Sequence, residues 1–171
     1  IAQEEIEEIA VTGTRIRGAN PDSFSPVAII DQEAIDISGK ISIGELLQEM
    51  PSQGSGLNRN YNNGGEGSVR MDFRNLGSGR TLILVDGKRW INSGTGANGS
   101  VDLNTIPTAS VERIEILKDG ASAVYGSDAI GAVINIITKD DYEGVEFQAQ
   151  TGEYFDGGGL ASSYQMTAGQ S

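Results

Sequence analysis

The apolar residues of this chain come in short runs, and their spacing limits the fold more than any other feature of the sequence. Val27–Ile30, Thr81–Val85 and Ala132–Thr138 are each four to seven residues long, which is the length of a buried β-strand. No apolar run reaches the roughly 18 residues that a transmembrane helix needs. Stretches rich in glycine, asparagine and serine separate the runs. The pattern predicts strands joined by long polar loops.

Two short helices are predicted after the first run. Asp31 can cap a brief helical turn that Gly39 ends. Ser42 and Glu45 then have the spacing of a capping box. Four apolar residues at helical spacing follow on one face: Ile43, Leu46, Leu47 and Met50. We expect this second helix to place its apolar face in the core.

Further strands are predicted in the middle of the chain. Val69, Met71 and Phe73 alternate with polar residues, which is typical of a half-buried strand. The continuous run 81–85 favours a central strand, and Asp86-Gly87 supplies the positive-φ positions of a two-residue hairpin turn. The chain is then expected to return along residues 88–91.

The pattern continues to residue 139. Ile114 and Ile116 alternate with Arg113 and Glu115 in another predicted strand, and residues 120–127 resemble a helical turn. Residues 27–139 are therefore predicted to form one α+β domain, with a mixed four-stranded sheet and short helices. Residues 1–26 form an extended polar arm in this interpretation.

The tail, residues 140–171, has a different pattern. Val145, Phe147 and Ala149 alternate with polar residues. Beyond a glycine-rich turn, Tyr164 and Met166 continue the alternation. Alternating strands separated by turns are typical of membrane barrels. Two such strands are too few to close a barrel.

Composition excludes several functions. Cysteine and histidine are both absent, which removes disulfides, zinc sites with these ligands and every Ser-His or Cys-His catalytic pair. The net charge of −12 argues against nucleic acid, whose phosphates require clustered Lys and Arg. The carboxylates are expected to be solvated, apart from Asp86 in its turn. We predict no catalytic residue, no metal site and no cofactor.

One motif matches a nucleotide site by spacing alone. Residues 94–99 read G-x-G-x-x-G, but a dinucleotide site needs a helix N-terminus directly afterwards. Residues 100–104 are not helical by pattern. We interpret this stretch as a loop.

Two polar loops are candidates for ligand binding. Residues 52–68 and 92–100 are rich in Asn, Gly and Ser, and each has an aromatic residue in or beside it, Tyr61 and Trp90. Amides near aromatic rings suit sugars and other polar ligands, and long loops in compact domains are often functional. The alternative that both are plain flexible loops remains open.

Three segments together resemble the TonB-dependent outer-membrane receptors. Residues 111–138, VERIEILKDGASAVYGSDAIGAVINIIT, resemble the most diagnostic stretch of that family. Residues 81–89, TLILVDGKR, resemble its plug hairpin, and residues 7–13, EEIAVTG, resemble its TonB box. The three occur in the family's order and spacing.

The resemblance implies a plug domain at residues 27–139, folded inside its own β-barrel in the bacterial outer membrane, with the arm 1–26 in the periplasm. It also implies that residues 140–171 are the linker and the first strands of that antiparallel transmembrane barrel, whose remaining strands would lie beyond this sequence. The C-terminal domain of TonB would add a β-strand to the TonB box, at Glu8, Ile9, Ala10, Val11 and Thr12. TonB would then pull, so that inner-membrane energy displaces the plug.

The resemblance also implies roles for other residues. The two loops would face the external ligand, with candidate contacts at Asn58, Arg59, Asn60, Tyr61, Asn62, Trp90, Asn92, Thr95 and Asn98. Three cationic residues would face carboxylates of the barrel wall: Arg74, Arg113 and Lys118. The expected function is ligand-gated, TonB-energised import of a scarce nutrient, with no covalent chemistry.

Siderophore, cobalamin, haem and oligosaccharide all remain open as ligands. Lys118-Asp119-Gly120 replaces the family's frequent Arg-Gly-Pro, and Gly131-Ala132 stands where Gly-Gly is common. Both variants suit receptor groups whose substrates include glycans. Two other readings are a free-standing periplasmic or secreted glycan-binding module, and a fragment that assembles through unpaired barrel strands.

Overall fold

The computed structural model describes residues 27–40, 42–54, 67–93, 99–118, 122–140, 142–153 and 159–170. The predicted TonB box, at residues 7–13, lies outside these ranges. So do the predicted ligand contacts of the first loop, at residues 58–62, and two of the second loop, Thr95 and Asn98.

The described residues form seven strands, three α-helices and four 3-10 turns. The strands are β1 Val27–Asp31, β2 Thr81–Val85, β3 Lys88–Arg89, β4 Val111–Leu117, β5 Ala132–Thr138, β6 Gly144–Gly152 and β7 Ala161–Gly169. The helices are α1 Gln32–Ile37, α2 Ile43–Gln48 and α3 Ser122–Tyr125. The 3-10 turns are Ser78–Arg80, Leu103–Thr105, Thr108–Ser110 and Ser127–Ala129.

The first five strands form one mixed sheet in the order β1-β4-β5-β2-β3. β2 and β5 are parallel, and the other neighbours are antiparallel. The predicted mixed α+β fold with short helices is confirmed. The sheet has five strands rather than four, since β3 adds a two-residue edge strand beside β2.

The hairpin turn between β2 and β3 has the predicted backbone. Asp86 has φ 49° and Gly87 has φ 73°. The Asp86 carboxylate accepts hydrogen bonds from the Thr138 amide at 2.9 Å and hydroxyl at 2.8 Å. The Gly87 amide donates to Asn135 Oδ1 at 3.0 Å. These contacts hold the turn against the end of β5, which offsets the cost of a left-handed Asp.

Both predicted helix starts are confirmed. The Asp31 carboxylate accepts from the Ala34 amide at 2.9 Å, and Ser42 Oγ accepts from the Glu45 amide at 3.3 Å. Gly39, with φ 65°, follows the end of α1. The apolar face of α2 packs into the core, where Ile43 and Leu47 are fully buried.

The strand predicted at residues 69–74 does not form. Val69, Met71 and Phe73 are buried in alternation as expected, but the segment has only one isolated bridge, from Phe73 to Gln53. Scattered partners satisfy its backbone instead: the Phe73 amide donates to Thr81 Oγ1 at 3.2 Å, and the Arg74 amide donates to the Ser52 carbonyl at 2.8 Å. The segment is half-buried without a ladder partner.

Each face of the sheet carries its own apolar cluster. The larger cluster joins α2 and Phe73 to inward residues of β4 and β5, including Ile114 and Ile134. The smaller cluster contains Leu82, Leu84, Leu117, Ala129 and Val133. Two covered faces explain why β2 and β5 read as continuous apolar runs.

β6 and β7 form a separate antiparallel hairpin, with Phe147 opposite Met166. Their apolar side chains lie on the exposed face, and Val145, Phe147, Tyr164 and Met166 are each at least 68% exposed. The predicted alternation is therefore present in the tail. Among the helices that the structure describes, none has the length and apolar character to cross a membrane.

Candidate functional site

The two glycine-rich loops return to the folded domain at adjacent points. The second end of the first loop and both ends of the second loop meet at residues that we call the loop junction: Ser68, Val69, Ser93, Asp102 and Asn104. Ser68 is 9% exposed. The 3-10 turn Leu103–Thr105 brings these loop ends together, and Leu103 anchors the turn because its side chain is fully buried.

Asp102 is at the centre of the loop junction. Its Oδ1 atom accepts from the Val69 amide at 2.9 Å and from the Asn104 amide at 3.1 Å. Its own amide donates to Ser93 Oγ at 2.9 Å. The Asn104 side-chain amide donates to the Gly67 carbonyl at 2.9 Å. The end of the first loop and the start of the second loop are thus hydrogen-bonded to one short segment, residues 102–104.

Trp90, predicted as a ligand contact, lies beside the loop junction. Its ring is partly buried against the larger core cluster. Its indole N–H donates to Thr105 Oγ1 at 3.0 Å, and that hydroxyl donates to the Asp102 carbonyl at 2.7 Å. The ring is therefore held in place by the fold, with part of its surface available to a ligand.

Asn92, also predicted as a ligand contact, is exposed at the start of the second loop. Its amide nitrogen lies 3.7 Å from the position that a Cβ would occupy on Gly99, which has φ 48°. The two ends of the second loop are therefore close together. The neighbouring Ile91 is 78% exposed, so this loop base presents both polar and apolar surface.

The loop junction was not predicted from the sequence, in which residues 100–104 showed only that no helix begins there. The available signal was Asp-x-Asn directly after a loop, since both side chains commonly accept or donate bonds to nearby backbone. Partners as distant in sequence as Val69 could not be inferred from that signal.

The three predicted barrel-wall residues have different surroundings. Arg74 is exposed and has φ 57°, next to Asn75 with the same φ. Lys118 is half-buried at the end of β4. The Arg113 side chain is 14% exposed and pairs within the chain, with Glu112 Oε1 at 2.6 Å and Glu115 Oε1 at 3.1 Å.

The expectation that the carboxylates are solvated is wrong for Glu115. This residue is 2% exposed on β4, and its Oε2 accepts from the Asn135 side chain at 3.1 Å. Arg113 supplies the charge partner. Burial of a carboxylate is tolerated here because both oxygens have donors. The alternation Arg113-x-Glu115 places both side chains on the same sheet face.

The polar face of the β6–β7 hairpin packs on the plug-like domain. A cleft of about 170 Å³ lies between them, lined by residues of α1, the loop before β4 and the hairpin. Gln165 Oε1 accepts from the Ala109 amide at 3.1 Å, and Lys139 pairs with Glu146 at 3.3 Å. Desolvation, together with the nearby Glu146 charge and hydrogen bond, raises the pKa of Tyr142.

Comparisons with known proteins identify the family of this chain. The model of the TonB-dependent Receptor Plug Domain family matches residues 19–133. The chain is similar to three solved structures, and it spans about a fifth of the length of each. The siderophore receptor PirA from Pseudomonas aeruginosa is 33% identical over 73% of this chain and 20% of that chain, with a TM-score of 0.50. PirA from Acinetobacter baumannii is 29% identical over 82% and 21%, with a TM-score of 0.60.

A mutant of the ferric enterobactin receptor PfeA from Pseudomonas aeruginosa is 28% identical over 84% of this chain and 22% of that chain, with a TM-score of 0.63. The family model covers more than half of the chain and includes the whole of β1 to β4. This chain belongs to the family of TonB-dependent receptor plug domains.

Proposed function

We propose that this chain is the gate of a bacterial outer-membrane receptor that imports a scarce ligand. The observation that carries the proposal is the family match over residues 19–133. In this proposal residues 27–139 form the gating unit, and residues 140–171 form a linker and the first strands of the surrounding barrel. The arm 1–26 extends into the periplasm.

The β6–β7 hairpin supports the assignment of residues 140–171 to the surrounding barrel. Its polar face lies against the gating unit, and its apolar face points away. A barrel strand that borders a plug needs this arrangement, since lumen-facing residues are polar and lipid-facing residues are apolar. The nine-residue strands β6 and β7 fall within the roughly 9–11 residues that a tilted strand needs to span a membrane.

The ligand class that we propose is an iron–siderophore chelate. Relatives at 33% and 29% identity are siderophore receptors, and one at 28% is a ferric enterobactin receptor. The proposed ligand surface comprises the two glycine-rich loops, with Trp90 and Asn92 at the base of the second loop. Tyr61 and the neighbouring residues Asn58, Arg59, Asn60 and Asn62 would contribute from the first loop, and Thr95 and Asn98 from the second.

The proposed coupling strand is Glu8–Thr12. Ile9-Ala10-Val11 is the short apolar stretch of an otherwise polar arm, and it precedes β1, where a pull would act on the gating unit. Binding by strand addition uses backbone N–H groups and alternate side chains. In this proposal the TonB C-terminal domain pairs with these residues once ligand is bound.

A proline at Val11 tests the coupling strand. Val11→Pro removes a backbone donor and fixes φ, so energised uptake of ferric enterobactin should be abolished. Ligand affinity at the loops should be unchanged. Binding and uptake of radiolabelled ferric enterobactin would be measured side by side in whole cells that express the complete receptor.

Val11→Ala is the matched control, since it keeps the backbone donor and should retain most uptake. Normal uptake by the proline variant would exclude this segment as the coupling strand. A parallel loss of binding and uptake would show a general defect instead. If the unsubstituted receptor binds an oligosaccharide but not ferric enterobactin, the proposed ligand class is wrong while the coupling role stands.

A further inference from the structure

We propose that Asp102 is the positioning residue that holds residues 67–69, at the end of the first glycine-rich loop, against the start and the end of the second loop, so that these loop ends form one base for ligand binding. This inference rests on the proposed function, which assigns ligand binding to the two loops. The hydrogen bonds that carry it belong to the described part of the chain and need no ligand.

One carboxylate oxygen of Asp102 accepts from a distant donor and from a local donor. The Val69 amide, which follows the first loop, donates to Oδ1 and ties the end of that loop to the residues after the second loop. The Asn104 amide, two residues after Asp102, donates to the same oxygen and orients the carboxylate. A change of side chain that removes this oxygen therefore removes the acceptor of both amides.

Further hydrogen bonds hold the same loop ends together. The Leu103 amide donates to the Val69 carbonyl at 2.9 Å, and the Asn104 side chain donates to the Gly67 carbonyl at 2.9 Å. At the start of the second loop, the Ser93 hydroxyl accepts from the Asp102 amide, and the Ser93 amide donates to the Ser100 carbonyl at 3.0 Å. Asp102 thus connects three of the loop ends.

The loop junction is also packed on a helix. A Cβ placed on Gly44 of α2 would overlap the Val69 side chain and would lie 3.3 Å from Leu103 Cβ. Gly44 allows the helix backbone to approach both residues closely. Val69 and Leu103 are fully buried at this contact, so the base under the loops is fixed in place by α2.

The consequence for binding is entropic. Ordering a backbone segment on binding costs conformational entropy. Because the hydrogen bonds of Asp102 already fix the separation of these loop ends, a ligand that contacts them does not have to order them. Asp102 would therefore raise affinity without touching the ligand, and its loss should weaken binding by about tenfold, comparable to one net hydrogen bond.

The test compares Asp102→Leu with Asp102→Asn in the 171-residue chain by amide hydrogen exchange. Asparagine retains an Oδ1 acceptor, whereas leucine has a similar shape and no acceptor. We expect exchange at both Val69 and Asn104 to be about tenfold faster in the leucine variant, and protection to be retained in the asparagine variant. Asp36→Leu, at an exposed position of α1, is the control and should change neither amide.

Asp102→Ser provides a second variant should the leucine variant fail to fold, because a serine hydroxyl is too short to reach both donors. Faster exchange at Asn104 with unchanged exchange at Val69 would overturn the proposal. So would equal loss of protection in the leucine and asparagine variants.

A ligand measurement separates this inference from the proposed function. In the complete receptor, the affinity for ferric enterobactin should fall in the leucine variant and return in the asparagine variant. If the unsubstituted receptor does not bind ferric enterobactin, the proposed ligand is wrong, and the exchange result still decides the role of Asp102. If exchange changes at both amides while affinity is unaltered, the positioning role is overturned.

Discussion

Asp86 and Glu115 are carboxylates that the fold uses in different ways. Asp86 is exposed in its turn and bonds the end of β5 through Thr138. Glu115 is buried between Arg113 and Asn135. Asn135 also accepts from the Gly87 amide, so the two carboxylates belong to one connected set of polar contacts across β4, β5 and the β2–β3 turn.

Removing the Glu115 carboxylate should destabilise the domain. Glu115→Ala would remove the buried ion-pair partner of Arg113 and the acceptor of the Asn135 side-chain amide, and we expect the free energy of unfolding to fall by about 3 kcal/mol. Glu115→Gln keeps an acceptor and should cost about 1 kcal/mol. Urea unfolding, followed through the fluorescence of Trp90, the single tryptophan, measures both.

Glu112→Ala is the matched control for this experiment. Glu112 also pairs with Arg113, but its side chain is 45% exposed, and an exposed ion pair contributes at most about 1 kcal/mol. Equal losses for the Glu112 and Glu115 alanine variants would show that burial does not distinguish the two carboxylates.

At the scale of elements, α2 connects the core to the loop junction. Ile43 and Leu47 face the core, while Gly44 meets Val69 and Leu103. The helix contains six residues, which is too short to be stable alone. Its stability therefore depends on these contacts, and the position of the loop ends depends on the helix.

A methyl group at Gly44 should disturb this contact. Gly44→Ala gains up to about 1 kcal/mol of helix propensity, but overpacking in a fixed core costs roughly 1–3 kcal/mol. We expect a net loss of about 1–2 kcal/mol in urea unfolding, together with faster amide exchange at Val69. A Cβ on Gly152 of β6 would meet nothing within 4 Å, so Gly152→Ala should be nearly neutral. A stable Gly44→Ala variant with unchanged exchange would contradict the proposed contact.

The elements that could be predicted are those with strong local signals. The caps at Asp31 and Ser42 and the turn at Asp86 depend on residues within a few positions of one another. The segment 69–74 shows where local signals end. Its alternation correctly gave the buried positions, but a ladder requires a partner strand. The backbone bonds here to separate groups instead, among them the side chains of Asp102 and Thr81 and the Ser52 carbonyl.

The candidate site was predictable only in part for the same reason. Composition located the loops and placed Trp90 beside one of them. The loop junction depends on pairing between residue 69 and residues 102–104, which no local pattern encodes. The buried position of Glu115 depends likewise on Asn135 in a neighbouring strand.

For the whole molecule, the exposed apolar face of the hairpin predicts the behaviour of the isolated chain. Val145, Phe147, Tyr164 and Met166 would be in water, and β6 and β7 each have an unpaired edge. We expect residues 145–150 to exchange amide hydrogens faster than residues 81–85, or the chain to self-associate as its concentration rises. Exchange and analytical ultracentrifugation measure the two outcomes.

A pair of substitutions tests which face is responsible. Phe147 and Met166 lie opposite each other on the exposed face, so replacing both with threonine should suppress self-association. Gln148→Thr, on the polar face, should not. Protection of residues 145–150 equal to that of 81–85 in a proven monomer would contradict the prediction.

The strand order has a consequence for folding kinetics. Val27 of β1 pairs with Leu117 of β4, and Thr81 of β2 pairs with Ala132 of β5, so the sheet has high contact order. A local turn joins β2 to β3, and β6 pairs with β7 over a short sequence separation, whereas β1 attaches only after a very long loop closes. Sheets dominated by such pairings form in milliseconds to seconds, roughly, against microseconds for a hairpin. If β1 is detached from β4, we therefore expect the native sheet to re-form in roughly milliseconds to seconds.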